Sequence, residues 1–152
     1  MSITLLILDA KWRSARGLGA RLKRAAAEAL AQGGGEADAA LTILLTSDEH
    51  LRTLNRNFRS EDEPTNVLSF SSSMGAKNYL GDIAIAHGVT TKEAKNAGKS
   101  LVDHATHLAV HGVLHLLGFD HATARQVKIM EPLETKILGT MNVADPYGQE
   151  VD

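Results

Sequence analysis

Between His111 and His121 the chain reads HGVLHLLGFDH, a His-x3-His-x5-His pattern with Gly118 between its second and third histidines. Two histidines four apart suit a helix, which carries both rings on one face about one turn apart, close enough to hold one ion. Gly118 is suited to a left-handed residue where that helix stops, so that the chain folds back and adds His121. Three imidazoles with a fourth position open form the ligand set of a catalytic zinc site, because structural zinc sites are usually closed by four protein ligands. This segment therefore predicts a helix, a glycine turn and a metal centre shared by both.

Four of the seven histidines, His104, His107, His111 and His115, fall on one helical face. They cannot all serve one ion: His104 and His115 are eleven residues apart, about 16 Å along a helix axis. His111 with His115 is the favoured pair, because Gly118 and His121 follow it. His107 is then a supporting donor to a ligand, or a core histidine bonded to a carbonyl, and His104 an ordinary surface or core residue. Two readings compete with the catalytic one. The histidines could be buried and satisfied by backbone, or a structural zinc could be closed by Asp120 or a distant carboxylate. Position 112 narrows the chemistry. A His-Glu-x-x-His metallopeptidase keeps its general base beside the first ligand, and here that place is Gly112.

The 152 residues are enough for one domain with a real core, and 43% hydrophobic with 22% charged residues is an ordinary soluble composition. Zero cysteines exclude disulfides and thiolate ligands, so any metal must rest on His, Asp or Glu. No apolar run reaches the roughly 18 residues of a membrane span, and no basic segment precedes the first apolar run, so a cytoplasmic protein without membrane contact is expected. A net charge of −2 excludes a broadly basic nucleic-acid coat. Local basic runs remain: Lys11, Arg13, Arg16, Arg21, Lys23 and Arg24, then Lys92, Lys95 and Lys99. Each is either a solvated helix face or a track for an RNA backbone.

Strands are predicted at Ile3–Leu8, Ala39–Leu45, Asn66–Phe70 and Leu80–Ala86. Helices are predicted from Ser14 to Gln32, from the capping sequence Thr46–Glu49 to about Asn57, from Thr90 to Gly98, from Ser100 through the histidines, and from Ala124 to Leu138. Pro64 and Gly75 mark loops. The expectation is a single α+β domain over 1–141, a four-stranded mixed sheet with about five helices, and a flexible tail over 142–152 that contains Pro146 and Gly148.

Arg59 leaves the second helix just before a strand, where it can aim a fork of donors at a phosphate or pair with Glu61, Asp62 or Glu63. Together, HGVLHLLGFDH, LNRNFRSEDEPTNVLSF (54–70) and LGDIAIA (80–86) resemble the YbeY family of bacterial endoribonucleases, which act in ribosomal RNA maturation. The resemblance runs from about Leu41 to Leu138. It implies one zinc ion on His111, His115 and His121, a functional arginine at Arg59, and single-stranded RNA, ribosomal RNA above all, as substrate. The ribosome is the implied partner. Asn66, Ser71 and Phe119 depart from the family pattern, which usually has aspartate, proline and tyrosine there. The competing functions are a zinc metallopeptidase-like hydrolase and a non-enzymatic ribosome assembly factor with a structural zinc.

Overall fold

Leu41, Ile43 and Leu45 alternate with less buried neighbours along β2 (Ala40–Thr46), the pattern of a strand with one face turned into a core. β1 (Ser2–Ile7) and β4 (Tyr79–Ala86) flank it, both parallel to it, and β3 (Val67–Ser71) runs antiparallel along the far side of β4. The strand order is β1-β2-β4-β3, a mixed sheet of four strands as expected. The computed structural model describes residues 1–63, 65–72 and 78–147. Pro64, Gly75 and Gly148, which the sequence reading puts in loops and tail, lie outside the described residues.

Among the described residues five α-helices accompany the sheet: α1 (Leu18–Gln32), α2 (Asp48–Arg59), α3 (His87–Asn96), α4 (Leu101–Leu116) and α5 (Ala124–Gly139). One sheet face is covered by α1 and α4, and α5 packs against those two helices. Leu22, Ala25, Ala29 and Leu30 meet Ile43, Ile83 and Ile85 there, with Ala109, Val113, Leu114, Met130 and Ile137 completing the cluster. On the other face a small cluster of Leu51, Leu68, Ala84 and Ala86 holds α2. Burying one such aliphatic side chain contributes about 1.5–3 kcal/mol, so the larger cluster dominates stability.

Two helix starts differ from the sequence expectation. The first helix begins at Leu18, after Gly17 at φ +74°, and not at Ser14. The preceding Ala10–Ser14 forms a separate 3-10 turn, capped by Asp9, whose carboxylate accepts the Lys11 N–H. That turn sinks Trp12 into the core, where its Nε1–H donates to the Thr46 carbonyl at 2.9 Å. α3 begins at His87 rather than Thr90, because Asp48, from the first turn of α2, accepts the Val89 N–H at 2.9 Å. A cap supplied from 41 residues away leaves no local signature. α2 also runs two residues past Asn57 and ends where Ser60 turns left-handed at φ +58°, which puts Arg59 on its last turn. The other elements agree with expectation to within a residue or two, the usual spread at frayed ends.

Of the basic runs, Arg21 serves the fold. Its guanidinium donates to the Met141 carbonyl at 2.8 Å and reaches Asp103 at 3.3 Å, tying α1 to α4 and to the end of α5. Between α5 and Tyr147 the chain stays packed: Val143 lies in the main core cluster and Tyr147 turns back onto α5. Among the described residues no helix is long and apolar enough to cross a membrane.

Candidate metal centre

α4 carries the first two histidines, and its placement depends on both ends and its middle. Ser100 caps the start, its Oγ accepting the Asp103 N–H at 3.0 Å. In the middle, Gly112 lets the helix press against the sheet, where Ser69 Oγ donates to the Gly112 carbonyl at 3.2 Å. At the end Gly118 adopts φ +101°, and the Phe119 N–H bonds back to the Leu114 carbonyl at 3.0 Å. That is the glycine-terminated reversal read from the sequence. Asp120 then accepts the His121 N–H at 2.7 Å, and Thr123 with Gln126 forms a capping box that opens α5.

These local devices bring the three predicted ligands together. His111 Nε2 and His115 Nε2 lie 3.0 Å apart. The His121 ring stacks on His111 with centroids 5.1 Å apart and stands edge-on to His115 at 4.9 Å. One nitrogen from each ring falls within a 4.8 Å group. Two nitrogens bound to one tetrahedral zinc at 2.0–2.1 Å would sit about 3.3 Å apart, so the His111–His115 pair needs only a few tenths of an ångström to accept the ion. Burial, and then the neighbouring His111 and His121, hold His115 below the usual histidine range, which keeps a lone pair free for a metal. No acidic ligand atom joins this group among the described residues, Asp120 included. The donor set fits zinc with an open position, as a catalytic site requires.

The triad lies in a cleft of about 500 Å³ whose other wall is Thr65 to Ser69 and Ser71, with Arg59 on the rim. β3 is the edge strand of the sheet, so this wall is the sheet's open margin. Arg59 is half exposed and reaches Glu61 only at 4.0 Å. Asp62 is occupied by Arg52 at 2.9 Å, with Arg56 at 4.0 Å. Of the ion pairs the sequence offered Arg59, only a long contact to Glu61 forms.

Among the remaining histidines, His104 Nε2 meets Glu93 at 2.9 Å, and Asn66 Nδ2 donates to the same carboxylate oxygen at 3.0 Å. Asn66 also accepts the Val67 N–H at 2.7 Å, so it fastens the start of β3 beside the cleft. His107 Nε2 donates to Glu134 Oε2 at 2.9 Å, and His111 Nδ1 donates to Glu134 Oε1 at 3.2 Å. The sequence reading missed Glu134. A signal was present: with Met130, Ile137, Leu138 and Met141 it occupies the buried stripe of α5 and its end, where an acid has no packing reason to be.

A family model described as endoribonuclease YbeY matches residues 10–142. This chain belongs to the YbeY family. An endoribonuclease YbeY of Rhodopseudomonas palustris is 49% identical over 121 residues, which are 75% of this chain and 70% of that protein. One of Maricaulis maris is 39% identical over 149 residues, 98% of this chain and 93% of that protein. The solution structure of TM1509 from Thermotoga maritima has a TM-score of 0.60 and 22% identity over 97% of this chain and 99% of that chain. That likeness shows the fold alone.

Two departures from the usual YbeY pattern now have physical settings. Asn66 replaces a carboxylate with an amide able both to donate to Glu93 and to accept from Val67. Ser71 ends the edge strand β3, a position where a proline elsewhere in the family would be tolerated.

Proposed function

We propose that this chain is a zinc-dependent endoribonuclease of the cytoplasm that cuts single-stranded RNA, ribosomal RNA above all, with the ribosome as partner. What carries the reading is the sharing of one cleft by the His111–His115–His121 group and Arg59. The family membership supplies the RNA.

His111, His115 and His121 would hold the metal through imidazole nitrogens. Zinc, when bound, supplies a Lewis acid for a phosphoryl oxygen and a way to a strong nucleophile near neutral pH. Arg59 offers its planar fork of donors to the non-bridging phosphate oxygens and stabilises the charge that grows on them in the transition state. The missing peptidase base is a packing matter. A Cβ on Gly112 would lie 2.8 Å from Ile83 Cγ2, so this helix position is reserved for contact with the sheet. Base stacking has few aromatics to draw on. Trp12 is buried, and Phe58, although exposed, is set edge-on against Phe70 with centroids 5.1 Å apart. Sequence choice is therefore assigned to the partner and not to this chain.

The test is metal analysis paired with cleavage of labelled single-stranded RNA by the intact chain. Cleavage should disappear on chelation and return with zinc, and Arg59→Ala should keep zinc but lose turnover. Cleavage of peptides with RNA left intact would select the metallopeptidase. Loss of the fold on chelation would select a structural zinc.

A further inference from the structure

Glu134 is fully buried, and a buried charge persists only where it is paired and hydrogen-bonded. Three donors converge on its two oxygens: His111 Nδ1 on Oε1 at 3.2 Å, and His107 Nε2 and Tyr147 Oη on Oε2, each at 2.9 Å. The Tyr147 ring stands edge-on to His107 with centroids 5.7 Å apart. His107 Nδ1 is buried with no hydrogen-bond partner, so the His107 proton belongs on Nε2, facing the carboxylate.

His111 is fixed in the same way. Its Nδ1 faces a carboxylate, which only accepts, so the proton of the neutral ring sits there. Its Nε2 is then a bare lone pair, 3.0 Å from His115 Nε2. This is the tautomer a metal ligand needs, and a carboxylate behind a ligand histidine commonly fixes it. His107, His111 and Glu134 also satisfy the spacing of a second metal group. An ion there would have to displace the proton on His111 Nδ1 and the one on His107 Nε2, whereas the hydrogen-bonded arrangement leaves both oxygens of Glu134 satisfied.

We propose that Glu134, steadied by His107 and Tyr147, is a positioning residue that sets the ring orientation and tautomer of His111, and that Tyr147 thereby couples the segment after α5 to metal affinity. The inference rests on reading His111, His115 and His121 as the zinc site.

Glu134→Gln keeps the volume but presents one acceptor and an amide N–H₂ to the histidine donors. In the intact chain it should weaken zinc binding, read by chelator competition, about 10–100-fold. Tyr147→Phe should weaken it in the same direction by a few-fold, and it remains informative if the Gln variant does not fold. A structural role alone would not alter the His111 Nδ1–H resonance of the zinc-loaded protein. In ¹⁵N-edited spectra that proton should appear far downfield in the wild type and move upfield or broaden away in Glu134→Gln. Wild-type zinc affinity in both variants with an unchanged resonance would overturn the proposal. So would a second zinc equivalent bound by the wild type and lost in Glu134→Gln. If the wild type binds one zinc with these sensitivities yet cuts no RNA, the positioning role stands and the nuclease reading falls.

Discussion

Gly112 lies so close to Ile83 that a Cβ added to it would meet Ile83 Cγ2 at 2.8 Å. The helix carrying His111 and His115 is thus seated against the centre of the sheet by the absence of a side chain. Gly112→Ala improves helix propensity by about 1 kcal/mol, whereas overpacking costs about 1–3 kcal/mol. The variant should be destabilised by about 1 kcal/mol net in urea unfolding. It should also bind zinc more weakly, because His111 and His115 flank the displaced turn.

Arg59 is held by one 4.0 Å contact and is half exposed, so its removal should barely affect the fold. Arg59→Ala should change stability by less than about 0.5 kcal/mol while lowering kcat/KM on RNA about 10²–10³-fold. Arg59→Lys should restore only part of that, since an ammonium lacks the planar fork. Steady-state kinetics with zinc content measured in parallel checks both.

The strands and the histidine turn were legible because their signals are local: alternation along β2, the His-x3-His spacing, and Gly118 at φ +101°. The start of α3 was not, because its cap is Asp48, on another helix. Arg21 read as part of a basic face, and its partners at Asp103 and the Met141 carbonyl appear only when α1, α4 and α5 come together. Glu134 lies 23 residues beyond His111, and only the α4–α5 reversal brings it behind that ring. The grouping of His111, His115 and His121 could be read from spacing, while the groups that orient these rings depend on tertiary contact.

Glu134 makes acid stability testable. Burial by itself raises its carboxyl, but the hydrogen bonds from His107 and His111, and then their charges, bring it from the ordinary 4.5 down to about 2. A pKa lower in the folded state than in the unfolded chain contributes stability that is complete above about pH 4.5 and lost as the pH falls through about 2. At 1.36 kcal/mol per pH unit this is about 3 kcal/mol, to order of magnitude. Denaturant unfolding of the zinc-stripped chain between about pH 5 and 2.5 should fall more steeply for the wild type than for Glu134→Gln.

Zinc removal should spare the fold. The main core joins the sheet to α1, α4 and α5 without using any of the three ligands. Chelation should therefore abolish RNA cleavage with little change in far-UV circular dichroism, and lower Tm only by the loss of ligand binding energy.

The most direct measurement is zinc content and single-stranded RNA cleavage in His121→Ala. His121 is exposed, on the turn between α4 and α5, so its loss leaves the core untouched. The account predicts a folded protein that neither retains stoichiometric zinc nor cuts RNA. A variant that keeps one tightly held zinc and wild-type cleavage would contradict it.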